Sequence, residues 1–175
     1  MTEPFRNIDP IEIDGGPEGV LLRELTIDDA QRYADLIAYD REHFRSVGEP
    51  TADRYQSKED VEKSFERVSE KVRFGIWVDG VMVGSINYSP RANNTAEIGY
   101  WIGKQYTRHG SAAKATRVLI DHLFGQGYAS VDAWARQDNT ASRKTLVSAG
   151  MEEWGPDPHD SAHIQYGRRN PAFAS

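Results

Sequence analysis

The pattern of apolar and polar positions divides the chain into short elements of two kinds. Val20–Leu25 is an apolar run of strand length. Thr26 then supplies a hydroxyl cap and Asp28 and Asp29 an acidic first turn, and Ile27, Ala30, Ala34 and Ile37 recur at helical spacing. Gly48-Glu-Pro50 breaks this helix. Ser57-x-x-Asp60 is a capping box ahead of a stripe formed by Val61, Phe65, Val68 and Val72, which reads as core packing. Phe74–Val78 and Val81–Tyr88 are β-rich, and the two-residue Asp79-Gly80 link predicts a type I′ hairpin.

A polar loop over 89–94 leads to a strand over Thr95–Ile102. Its alternation puts Ala96, Ile98, Tyr100 and Ile102 on one face and Thr95, Glu97, Gly99 and Trp101 on the other. Ala112–Phe124 is helical and stops at Gly125 and Gly127, with Ala115, Val118, Leu119 and His122 on one stripe. A strand over Ser130–Arg136, a helix over Thr140–Ala149 ended by Gly150, and one or two short strands in Met151–Arg169 complete the order β-α-α-β-β-β-α-β-α-β-β. Hairpins join the early strands and helices the later ones. The fold class is therefore α/β with a mixed sheet, antiparallel first and parallel near residues 95–136. Residues 1–18, with Pro4, Pro10, Gly15, Gly16 and Pro17, are expected to be an irregular arm ahead of one domain over 19–175.

Composition narrows the function classes. The 175 residues suit one domain with a substantial core, and 38% hydrophobic with 27% charged residues suits a globular protein. No apolar run approaches the ~20 residues that span a bilayer, and the start lacks the pattern of a secretory signal, so a cytoplasmic protein without membrane association is expected. With no cysteine, a thiolate metal site, a disulfide and a cysteine nucleophile are excluded. A net charge of −6 argues against general nucleic-acid binding.

The chemistry concentrates in 95–151. A strand feeding a helix through Thr107-Arg-His-Gly-Ser-Ala-Ala113 presents free N–H groups at the positive end of a helix dipole, which suits a pyrophosphate. Gly110 and Ala112 are small where backbone must approach an anion. Arg108 and His109 flank them and are either phosphate contacts or a solvated basic pair. Glu97 shares a strand face with Gly99, which leaves space beside it. This carboxylate is either a general base or an exposed strand carboxylate that merely attracts a cation. Asn139 is an N-cap, with Ser142 in the first turn of its helix. Tyr39, His43, Phe44, Tyr55 and Trp77 either pack in the core or, as the family resemblance given below implies, line a pocket, and Glu42, Glu49 and Asp53 in the 41–57 segment are available to attract a cation. His159 and His163 would lie ~13 Å apart in an extended segment, too far to share one ion, and no metal is expected.

These residues resemble the GNAT superfamily of acetyl-CoA-dependent N-acetyltransferases, and within it the Rim-type branch that acetylates ribosomal-protein N-termini. Ala96-Glu-Ile-Gly-Tyr-Trp-Ile102 is similar to that branch's fourth strand, Gly110-Ser-Ala112 to the end of the superfamily's phosphate motif, and Asn139-Thr-Ala-Ser142, with Leu146 and Gly150, to the branch's N-x-x-S helix. The resemblance implies acetyl-CoA as co-substrate, no metal, and direct attack of a primary amine on the thioester. Trp101, Ile102, Arg108, His109, Gly110, Ser111, Ala112, Ala113, Asn139 and Ser142 would hold the cofactor, and Ser142 would donate to the departing thiolate. It implies an amine partner, either a protein N-terminus or a small molecule, and is compatible with a homodimer. Thr107 and Arg108 depart from the motif's usual Gln or Arg and Gly, and Leu146 stands where many members have a tyrosine acid. The first two motivate the competing view of a non-catalytic, CoA-binding or partner-docking module.

Overall fold

The computed structural model describes residues 9–66 and 70–174. Val68 of the expected apolar stripe and residues 1–8 of the expected arm lie outside them. The strands are β1 Glu12–Asp14, β2 Leu21–Glu24, β3 Val72–Val78, β4 Val81–Arg91, β5 Thr95–Ile102, β6 Ser130–Arg136, β7 Glu152–Pro156 and β8 His163–Arg169. They form one sheet in the order β1-β2-β3-β4-β5-β6-β8-β7. Every neighbouring pair is antiparallel except β5 and β6. The helices are α1 Ala30–Tyr39, α2 Arg41–Ser46, α3 Thr51–Arg54, α4 Lys58–Glu66, α5 Ser111–Gly125 and α6 Thr140–Ser148.

The Asp79-Gly80 hairpin forms as its chemistry dictates, with φ of +49° and +76° at its two residues and Val78 opposite Val81. A second turn does the same work at the end of β4. Asn93 and Asn94, at φ +60° and +56°, let the strand run on to Arg91, inside the stretch expected to be a polar loop.

Two further differences have physical causes. Residues 12–14 are not part of an irregular arm but an edge strand, because their backbone completes a ladder with β2. The helix begun at Thr26 stops at Tyr39, and Asp40 turns the chain into α2. The buried Asp40 carboxylate accepts the Lys104 N–H at 2.6 Å, a tertiary tie that local helix propensity cannot anticipate. The sequence left the pairing of the last strands open; β8 rather than β7 lies next to β6, so the last strand of the chain lies inside the sheet.

Each face of the sheet has its own core. On one, Phe74, Ile76, Ile86, Ala96 and Ile98 pack against Leu119 and Leu123 of α5 and Leu146 of α6. On the other, Met82 and Trp101 meet Tyr33, Ile37, Phe44, Ala52, Tyr55 and Val61 from α1–α4 and the connections between them. The alternation of β5 thus holds: Ala96 and Ile98 point to the α5 side and Trp101 to the α1–α4 side. Burying a leucine such as Leu119 or Leu146, each fully enclosed, contributes about 1.5–3 kcal/mol.

Candidate active site

The parallel ladder between β5 and β6 is short. It joins Thr95 to Ser130, Ala96 to Val131, Glu97 to Asp132 and Ile98 to Ala133, and goes no further. Beyond it β5 continues against β4 as far as Ile102, and β6 continues against β8 as far as Arg136. The two strands diverge, and backbone groups of 99–102 are left without a strand partner on the β6 side. A cavity of about 290 Å³ opens at the divergence. Glu97 to Trp101 line it from β5, Ala133 to Arg136 from β6, and Asn139 and Ser142 from the start of α6.

The turn into α5 follows the end of β5. Lys104–Tyr106 make one turn of 3₁₀ helix, and the Thr107 hydroxyl donates to the Lys104 carbonyl at 2.7 Å. Arg108 then takes φ +66° and Gly110 φ +75°. Arg108 therefore adopts the left-handed backbone that favours glycine, and the turn keeps its shape despite the side chain. Gly110 is the cap of α5 and brings no side chain to cover the N–H groups of Ser111, Ala112 and Ala113, which stand at the positive end of a 15-residue helix. His109 and Arg108 are exposed at this mouth. A cradle of backbone donors facing solvent at a helix start fits a pyrophosphate.

Asn139 caps α6 by accepting the Ser142 N–H at 3.0 Å. The Ser142 hydroxyl lies 3.1 Å from the Tyr100 hydroxyl, which also reaches the Ser142 carbonyl at 3.3 Å. Burial pushes the Tyr100 phenol upward, partly opposed by its hydrogen bonds to Ser142 and Thr145. Leu146 is fully buried and takes no part in the cavity. Glu97 accepts from Arg91 through both oxygens, at 3.0 and 3.2 Å, and is about one third exposed. Its parallel partner Asp132 is half-buried. Burial raises its carboxyl, Gln165 opposes that by donating to Oδ2, and Glu97 adds to the rise, while Oδ1 has no partner among the described residues.

Of the expected site residues, Glu97, Trp101, Asn139 and Ser142 line the cavity, whereas Ile102 and the turn from Arg108 to Ala113 lie outside its lining. Trp101 and Ile102 contribute backbone along the diverging stretch. The Trp101 indole is buried away from it and donates to Tyr33 at 3.4 Å. Of the five expected aromatics only Tyr55 lines the cavity. Tyr39 is exposed, Phe44 is in the core, and Trp77 stacks under Arg23 and Arg32. The carboxylates of 41–57 do not make an acidic pocket: Glu42 is outside the cavity, Asp53 is paired with Arg45 at 2.9 Å, and Glu49 accepts from the Thr51 N–H and hydroxyl. His163, on the rim, is bonded to Asp160 at 2.7 Å. Tyr33, Arg54, Lys71, Arg73 and Asn87 also line the cavity and were not anticipated. The signal existed for two of them. Arg73 and Asn87 alternate with Phe74 and Ile86, so period two puts them on the opposite face from the α5 core.

The model of the acetyltransferase (GNAT) domain matches residues 20–152. The chain belongs to the GNAT acetyltransferase family. The probable N-acetyltransferase YjcK of Bacillus subtilis (strain 168) is 25% identical over 148 residues, which are 78% of this chain and 82% of YjcK. Among solved structures, the ribosomal L7/L12 α-N-protein acetyltransferase RimL in complex with coenzyme A superposes with a TM-score of 0.80 at 17% identity, covering 93% of this chain and 99% of that one. The microcin C7 self-immunity acetyltransferase MccE, in complex with acetyl-CoA and AMP, gives 0.76 at 18% identity over 86% and 92%. GNAT enzymes use acetyl-CoA, and the backbone cradle at 108–113 together with the divergent β5–β6 pair fits that co-substrate in this GNAT chain. Among the described residues no group of His, Asp and Glu is arranged to hold a metal, and no helix is long and apolar enough to cross a membrane.

Proposed function

We propose that this GNAT N-acetyltransferase transfers acetyl to a primary amine by direct attack, the acyl donor lying in the β5–β6 cleft and the amine entering from the α1–α4 side. The observation that carries this reading is the cavity at the strand divergence, because it joins the two sides at Gly99. A Cβ there would have only Asn87 near it, 3.5 Å away, so the strand leaves room beside the Glu97 carboxylate.

The residues divide the work. Backbone of Trp101 and Ile102 pairs with the extended arm of the donor. N–H groups of 108–113 hold its pyrophosphate, with Arg108 and His109 adding charge at the mouth. An amine has a pKa of about 10 and must lose a proton before attack. Glu97, anchored by Arg91, takes it directly or through a water. Ser142, backed by the Tyr100 hydroxyl, donates to the departing thiolate. No acyl-enzyme is required, in keeping with a chain without cysteine.

Thermal unfolding with acetyl-CoA, using ATP and NAD as controls, tests the donor site. At 100 times its Kd the ligand adds about 2.7 kcal/mol and raises Tm by several degrees. Release of thiol on addition of an amine panel then tests turnover. Glu97→Gln is expected to lower kcat roughly 10²-fold and to remove the acidic limb of the pH profile; Ser142→Ala is expected to lower kcat by about tenfold or more. An unchanged pH profile in the first variant would remove Glu97 as base. The altered Thr107-Arg108 positions favour a second reading, a CoA-binding module without turnover. Tight acetyl-CoA binding with no thiol release on any amine would establish it.

A further inference from the structure

The charges around the cavity are not those expected for a simple cationic acceptor. Across the sheet, Arg73 on β3, Asn87 on β4 and Gly99 on β5 stand in one row of directly opposed residues. They form the floor beside Glu97. Arg54, at the end of α3, and Lys71, just before β3, close the same side. Neither Arg54 nor Arg73 forms an ion pair among the described residues. Arg73 is held instead by the Ser64 carbonyl and hydroxyl and by the ring of Phe65, so its charge is positioned but not neutralised. Burial lowers the Lys71 ammonium from its ordinary value, Arg73 and Arg54 add to that, and Tyr55 and Glu97 oppose it. The two carboxylates on the cavity are already engaged, Glu97 by Arg91 and Glu49 by Thr51.

The donor's own phosphates do not answer this charge. The cradle at 108–113 follows the end of β5, whereas Arg73 is level with Gly99, three residues before that end, and on the sheet face away from α5. We propose that the acceptor is an amine that also carries an anionic group, a carboxylate or a phosphate, held by Arg54, Lys71 and Arg73 while its nitrogen lies between Glu97 and the strand divergence. This inference rests on the acetyl-transfer reading above and names its substrate class. Such an acceptor sets its anionic group on the cations and its nitrogen near the strand divergence, all within the lining of one cavity.

The test is thiol release by the full chain with matched acceptors: aspartyl and asparaginyl dipeptide amides, β-alanine and its amide, phosphoethanolamine and ethanolamine. The anionic member of each pair is expected to show at least a tenfold higher kcat/KM, mainly through KM, with the gap shrinking as salt rises. The carboxylate and phosphate pairs distinguish the two sources of the anion. Arg54→Gln, at an exposed position, and Arg73→Gln are expected to narrow the anionic-to-neutral ratio. A panel in which neutral or polycationic amines are used as well as anionic ones, or variants that leave the ratio unchanged, would overturn the inference while leaving acetyl transfer intact. If no amine turns over, acetyl transfer itself fails. Thermal shifts of the coenzyme A-loaded protein with the same pairs then still decide: stabilisation by anionic amines alone supports the cationic subsite, and equal response to both members overturns it.

Discussion

At the residue scale, the turn from Thr107 to Gly110 shows which departures from a motif matter. Arg108 occupies a left-handed conformation at some cost in strain, yet the turn it helps build is the one a glycine would give. Gly110 has the same requirement with open space around it, the nearest atom to a built Cβ being Lys114 Cε at 3.9 Å. Gly110→Ala is therefore expected to cost about 1 kcal/mol through backbone strain alone, read as a lower urea midpoint with unchanged m. Asp132 makes a second prediction. Its carboxyl is raised in the folded protein, so the native state favours the proton. Stability from that preference is present below the ordinary carboxyl range and is lost as pH rises through the folded value. Asp132→Asn keeps an acceptor for Gln165 and removes the buried charge. A higher urea midpoint than the parent at pH 7, closing as pH falls, is expected.

Among the elements, those read most easily from sequence are those whose signal is local. The Asp79-Gly80 hairpin, the α6 cap at Asn139 and the two faces of β5 depend on residues within a few positions of one another. What escaped is set by distant partners. The edge strand at 12–14 exists because β2 is beside it, and the break between α1 and α2 because Asp40 bonds to Lys104, 64 positions away. The site divides the same way. The Glu97–Ala113 blocks and Asn139-to-Ser142 were legible as strand, cradle and cap, whereas Arg54, Lys71 and Arg73 meet the cavity only through the sheet's pairing. Asp40→Ala would remove the carboxylate that accepts the Lys104 N–H. A loss of about 1–3 kcal/mol is expected, measured by denaturant unfolding, together with a raised KM for acetyl-CoA as the 103–110 connection loosens.

For the whole molecule, one sheet is assembled from two parts, β1–β5 and β6–β8–β7, joined by the four opposed pairs of the parallel ladder. Helices α5 and α6 lie across that joint, with Leu119, Leu123 and Leu146 in the core they share with β5 and β6. Amide exchange should report the division. Residues 95–98 are expected to be protected in the free protein, and 99–102 to gain protection on addition of acetyl-CoA. Equal exchange with and without ligand would place the donor elsewhere.

The divergence of β5 from β6 also solves a problem of solubility. A strand edge with vacant hydrogen-bonding groups ordinarily invites another protein's strand and, through it, aggregation. Here the vacancy lies between two strands that close together at one end, and it runs from Gly99 to Ile102 on β5 and from Trp134 to Arg136 on β6. A wedge that closes at Ile98 and Ala133 offers a strand from another protein only a short stretch to pair with. A thin chain bearing amides but no branches can enter and complete the ladder, so the same shortness that shields the vacant edge from other proteins also selects what fills it.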